Sequence, residues 1–181
     1  MLEDIKQGCL SCRKCRLCET RNNVVFGTGS ETADIMFVGE APGKNEDETG
    51  VPFVGAAGKL LERMLDAVDL SRNDIYIANI VKCRPPQNRD PLADEEDACI
   101  PYLFEQIHII KPKVVVCLGR ISAKRLIHSS FQITHERGKW FTMPDYDIMA
   151  TFHPAALIYD SSKKGDTFLD FKEIKRKASE L

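Results

Sequence analysis

Four cysteines, Cys12, Cys15, Cys83 and Cys99, have the residue type and spacing to hold a metal centre. Two residues separate the first pair, and fifteen separate the second, which lies far downstream. A close pair plus a distant pair brings four thiolates to one point and ties the N-terminal segment to the body of the chain. Such a set holds Zn²⁺ tetrahedrally or a [4Fe–4S] cluster, and spacing does not choose between them. Cys9, Cys12, Cys15 and Cys18 also form a C-x2-C-x2-C-x2-C run, so a ligand set drawn wholly from the N-terminal run is a rival. Otherwise Cys9 and Cys18 read as bystanders, and Cys117, inside an apolar run, reads as a small core residue.

A second constellation is free of cysteine. Gly39-Glu40-Ala41-Pro42-Gly43 is a tight turn whose backbone N–H groups can face a base edge or a phosphate. Gly50 to Gly58 leads into a helix, where glycines permit close approach of an anion. Phe53 within it is a stacking platform or a core residue. Asn79 inside an apolar run is costly unless it has a hydrogen-bonding task. His153 before Pro154 is a candidate electrophile or general acid.

The elements that position these residues alternate along the chain. Strands are predicted at 34–39, 75–81, 113–119 and 147–152, each a short apolar run. Helices are predicted at 55–68, 91–110, 121–128 and 166–178, with Asp94 to Asp97 suited to the start of the second. Residues 132–142, with Gly138 in the middle, read as a β-hairpin or irregular excursion, and 45–49 as a polar loop. Strands separated by helices imply one α/β domain over 1–181, a three-layer α/β/α arrangement around a mostly parallel four-stranded sheet, with an N-terminal cysteine-bearing segment. Ligands of such sheets bind beyond the carboxyl ends of the strands, where Glu40, Asn79 and His153 all fall.

Composition sets outer limits. The chain has 181 residues, 43% hydrophobic, with a formal net charge of −2, which argues against a broadly basic nucleic-acid binder and leaves room for a local basic face. Lys82, Arg84 and Arg89 cluster after the second predicted strand. Seven cysteines with uneven spacing and no apolar signal core at Met1–Lys6 favour metal binding over disulfides and a cytoplasmic protein. No apolar run approaches the roughly 18 residues of a membrane span.

In combination these motifs resemble the uracil-DNA glycosylase superfamily, specifically its iron–sulfur-containing family 4. The resemblance rests on the C-x2-C pair, Gly39 to Gly43, Gly50 to Gly58, Asn79 to Arg89, Cys99 and His153-Pro154-Ala155, and spans nearly the whole chain. Family 5 relatives typically lack the acidic residue of the first motif, which is present here as Glu40. The resemblance implies a DNA-repair enzyme that flips uracil out of single- or double-stranded DNA and hydrolyses its N-glycosidic bond, leaving an abasic site. Separately, nothing in the sequence calls for an obligate oligomer, so a monomer is expected. It implies a structural [4Fe–4S] cluster on Cys12, Cys15, Cys83 and Cys99. The base pocket would comprise Gly39, Glu40, Ala41, Phe53, Asn79 and His153. Phe53 would stack on the base, Asn79 would read its Watson–Crick edge, and His153 would donate to O2 of the departing uracil anion. Glu40 would position the attacking water or crowd thymine at C5. Lys82, Arg84 and Arg89 would meet phosphates, and Leu157 would wedge into the gap left by the base.

Two other readings fit part of the sequence. A metal-stabilised nucleic-acid-binding module accounts for the cysteines and the basic loop and leaves Glu40, Asn79 and His153 without a task. A small electron-transfer protein would hold its cluster on the N-terminal run and keep it without Cys83 and Cys99.

Overall fold

The computed structural model describes all 181 residues. Six strands form one sheet: β1 (Thr28–Gly29), β2 (Ile35–Gly39), β3 (Ile75–Asn79), β4 (Val114–Leu118), β5 (Trp140–Thr142) and β6 (Asp147–Thr151). Every residue of β2, β3, β4 and β6 is buried. Such continuous burial is what a parallel sheet covered on both faces requires. These four are the expected strands, and they pair in parallel in the order β3-β2-β4-β6. The sheet is wider than expected. β1 and β5 add antiparallel edges to β3 and β6, and two or three residues are too few to leave an alternating pattern in sequence.

The helices are α1 (Leu2–Leu10), α2 (Lys44–Thr49), α3 (Ala56–Asp66), α4 (Ala93–Ile110), α5 (Arg120–Leu126), α6 (Ile133–Glu136), α7 (Pro154–Tyr159) and α8 (Lys164–Glu180). Alternation along each strand divides the core in two. Met36, Val38, Val115 and Cys117 join Leu103 and Ile107 of α4 on one face. Ile35, Phe37, Val114 and Val116 join Leu61 and Leu65 of α3 and Phe171 and Ile174 of α8 on the other. The result is the three-layer arrangement that the alternation of strands and helices implied. α1 packs against α4, anchoring the N-terminal segment.

Two segments differ from expectation. Residues 132–142 do not form a hairpin of their own. Gly138, at φ +74, separates α6 from β5, and β5 instead hairpins with β6 through a turn closed by Met143 N–H on Tyr146 O (2.9 Å). Residues 45–49 lie in helix α2 rather than a loop, because the Glu46 carboxylate reaches back to the Gly43 N–H (3.1 Å) and caps the first turn.

Candidate active site

The register of the sheet assembles the site. Gly39 stands opposite Asn79, and Ile80 N–H and Val81 N–H donate to the Gly39 and Glu40 carbonyls (3.0 and 3.1 Å) beyond the strand ends. On the other side of β4, β6 runs directly into His153. Glu40, Ala41, Phe53, Asn79 and His153 consequently line one cavity of about 340 Å³, within the roughly 300–1,000 Å³ of small-ligand clefts. Gly39 lies behind this wall. A Cβ on it would sit 2.4 Å from Asn79 Oδ1 and 2.7 Å from the Phe53 ring, so a side chain here would displace both.

Asn79 is 2% exposed, and its Oδ1 is the one buried side-chain polar atom without a hydrogen-bond partner. Leaving such an atom unpaired costs about 1–3 kcal/mol, which a ligand offering an N–H would recover. His153 caps α7, its Nδ1 accepting the Ala155 N–H at 3.0 Å. A nitrogen that accepts carries no proton, so the neutral ring bears its hydrogen on Nε2 and can donate there. The residue is half-buried, but the ring itself is crowded by protein. Its burial lowers the imidazole pKa to about 4, against a smaller opposite pull from Glu46. Glu40 moves the other way. Burial, reinforced by the negative charge of Asp90 and offset by Arg120, raises its pKa to about 7.

Phe53 adopts φ +53, a left-handed conformation uncommon for a side-chain-bearing residue. Arg72 holds it there. Its guanidinium donates to the Pro52 carbonyl (2.9 Å) and the Phe53 carbonyl, and its Nε pairs with Glu62 (2.6 Å). Gly58 allows α3 to press against the same carbonyl, where a Cβ would lie 1.8 Å from the Phe53 oxygen. The Phe53 ring stands 5.6 Å from the His153 ring.

Glu46 also lines the cavity and was missed in the sequence. Besides Gly43, its carboxylate accepts the N–H groups of Val54 (3.0 Å) and Gly55 (2.9 Å), stapling the first glycine turn to the second. The sequence signal for it is weak, because the Gly43 N-cap lacks the side chain of the usual capping box and only the glutamate three residues on is present. Asn88 completes the rim; it lies within the Asn79 to Arg89 motif, but no role was assigned to it there.

The cysteines form a separate cavity. Cys12, Cys15, Cys83 and Cys99 line it together, and so do Cys9 and Cys18. The N-terminal run and the distant pair therefore meet, which separates neither ligand set from the other. Arg21 Nη1 and the Lys82 backbone N–H donate to the sulfurs of Cys83 and Cys99, each at 3.2 Å. No three Cys, His, Asp or Glu side chains of the chain group as they would around a single metal ion. Six thiols lining one cavity, two of them already receiving hydrogen bonds, fit a larger thiolate-bound group. Cys117 is fully buried in β4, as a core residue should be.

The proposed DNA contacts need correction. Lys82 has no exposed surface; its ammonium is turned inward onto the Asn79 carbonyl and Gln106 and cannot meet a phosphate. Leu157 is 1% exposed and packs with Leu60 and Phe152, so it is a core residue of the α7 turn rather than a wedge. The exposed apolar side chains of α7 are Ile158 and Tyr159. Arg89 lines the active-site cavity, but Glu95, itself fully buried, engages its guanidinium bidentately (2.9 and 2.7 Å). Arg84 is part-exposed, with its Nε on Asn88 Oδ1 (2.7 Å).

No helix is long and apolar enough to cross a membrane. The model of the uracil DNA glycosylase superfamily matches residues 26–176. A type-4 uracil-DNA glycosylase of Sulfurisphaera tokodaii is 48% identical over 98% of this chain and 84% of its own length. One of Archaeoglobus fulgidus is 46% identical over 96% of this chain and 91% of its own. One of Saccharolobus solfataricus is 45% identical over 93% and 82%. With the family match and three relatives covering nearly its whole length, the chain belongs to the uracil-DNA glycosylase superfamily and, within it, to the type-4 uracil-DNA glycosylases.

Proposed function

We propose that the chain removes uracil from DNA by hydrolysing the bond between the base and deoxyribose. One observation carries this reading beyond family membership: an unpaired, buried Asn79 acceptor facing a cavity that also holds a proton-donating neutral histidine and an aromatic ring. Uracil presents an N3–H and an O4 on one edge. Asn79 Oδ1 accepts the first, and its Nδ2–H donates to the second. Cytosine presents the reversed pattern at these atoms and leaves the amide unsatisfied. The base reaches so enclosed a site only after leaving the stack, and Phe53 then supports its face.

Cleavage develops negative charge on the base and positive charge on the sugar. His153 Nε2–H donates to O2, where that negative charge collects. Glu40 in its ionised form takes a proton from the water that attacks the sugar. Its raised pKa gives this role a sign. The carboxylate predominates above about pH 7, so single-turnover excision is expected to rise through that region and level off above it. Glu40→Gln should remove the rising limb. A wild-type rate unchanged across roughly pH 6–8 would take Glu40 out of the proton transfer.

Cys12, Cys15, Cys83 and Cys99 would hold a [4Fe–4S] cluster with a structural role. The donor set supports this, since thiolate sulfur suits iron–sulfur ligation and Arg21 and Lys82 supply N–H groups to the sulfurs. Bound there, the group would crosslink the segment after α1, the loop after β3 and α4. Cys83→Ala is expected to lose iron and visible absorbance together and to melt at lower temperature. Stoichiometric iron in that variant would move the ligand set toward Cys9 and Cys18.

The function is tested by incubating iron-loaded protein with a labelled oligonucleotide carrying one uracil, in EDTA. An alkali-labile abasic site at the uracil, with a thymine control untouched, is the expected result. Salt-sensitive binding without base release would leave a nucleic-acid-binding module.

A further inference from the structure

We infer that Lys82 is the built-in counter-ion for an anionic group in the cysteine cavity, and that it ties the base-reading Asn79 to that group. Lys82 is fully buried. Its Nζ donates to Gln106 Oε1 (2.6 Å) and the Asn79 carbonyl (3.1 Å), both neutral acceptors, and no carboxylate is among its partners. Gln106, also fully buried, is fixed in turn by donating to the Phe26 carbonyl (2.9 Å) and Tyr76 Oη (3.1 Å). A buried ammonium is costly unless an opposite charge lies close by. The only candidates for that charge are sulfurs. Lys82 lines the cavity formed by Cys9, Cys12, Cys15, Cys18, Cys83 and Cys99, and its own backbone N–H donates to Cys99 Sγ.

Four thiolates around a [4Fe–4S] core carry net negative charge, which is the charge this lysine lacks. One residue therefore lines the cluster site, donates its backbone N–H to a sulfur there, and holds the backbone of Asn79 with its ammonium. Lys82 is a positioning residue, remote from the base itself. The inference rests on the cluster and glycosylase readings above.

The test compares anaerobically purified wild type with Lys82→Arg, Lys82→Gln and Lys82→Met. Iron content, cluster lifetime under chelator, midpoint potential, kcat and KM are measured for each. The two uncharged variants should lose the cluster about tenfold faster, the scale on which residues bonded to metal ligands act. Their potentials should shift negative, because a neighbouring cation favours the reduced, more anionic cluster. Lys82→Arg should retain wild-type behaviour in both. Lys82→Gln, which keeps an N–H donor for the Asn79 carbonyl, should retain more of kcat than Lys82→Met, with KM unchanged throughout.

If Lys82→Met does not fold, the contrast between Gln and Arg decides. Equal cluster lifetime and potential in Lys82→Gln and wild type would overturn the counter-ion role alone. No uracil release from iron-loaded wild type would overturn the proposed function alone. Wild type that never acquires iron would overturn the cluster reading and this inference with it.

Discussion

Replacing His153 with alanine is expected to slow single-turnover uracil release by about 10²–10³-fold, the range for losing one well-aimed donor to a developing anion. DNA affinity should change little, because the ring faces the base cavity and carries no charge at neutral pH. The geometry makes the role specific. The Ala155 N–H occupies Nδ1, so the only ring hydrogen is on Nε2. An imidazole whose pKa has fallen to about 4 stays neutral throughout the neutral range, so raising the pH through the ordinary histidine value should cost no activity. Below about pH 4 a second ring proton would displace the Ala155 contact, and activity should fall. A Glu40→Gln background isolates this behaviour, since it removes the other titration. Undiminished cleavage by His153→Ala, or a break near pH 6.5 that disappears with His153, would end the neutral-donor assignment.

Asn79→Asp should be as damaging, with excision reduced by roughly 10³-fold or more, as when a site loses the hydrogen-bond pattern it was built to read. The shape of the side chain hardly changes. An ionised aspartate offers no N–H to O4 and places negative charge beside a base that becomes an anion on departure. A protonated aspartate restores one donor, after paying for the proton. Measured against wild type at the same pH, Asn79→Asp should therefore recover in part as the pH is lowered. Comparing rates and duplex affinities for wild type and variant separates base reading from binding. Full activity in the variant would remove Asn79 from recognition.

The residues of the site were legible because three apolar runs end in chemically odd residues. Val38-Gly39-Glu40, Ala78-Asn79 and Phe152-His153 each break an apolar pattern at a strand end, and parallel register does the rest. The meeting of Cys12 and Cys15 with Cys83 and Cys99 was legible for a similar reason, since helix α4 must return across one face of the sheet, and α1 packs against α4. Direction of side chains was not legible. Lys82 follows Asn79 by three residues and sits among basic neighbours, so its charge read as surface. Only the tertiary structure turns it inward onto Gln106, which lies far along the chain. Leu157 and Ile158 are adjacent and similar in composition, and the packing of α7 against Leu60 decides which one is buried. Short edges β1 and β5 left no pattern because their partners, rather than their own sequence, define them.

Glu46 has a wider consequence. By accepting three backbone N–H groups from two turns, it sets the shape of the cavity walls before any DNA arrives. A rigid receptor of this kind does not share the work of rearrangement with its substrate. The energetic cost of recognition then falls on the nucleic acid, as the expense of breaking a pair and unstacking a base. Preference among substrates should follow how easily uracil is released from its neighbours. Single strands and U·G mismatches should be processed faster than U·A pairs, and equal rates on all three would place the adjustment in the protein instead.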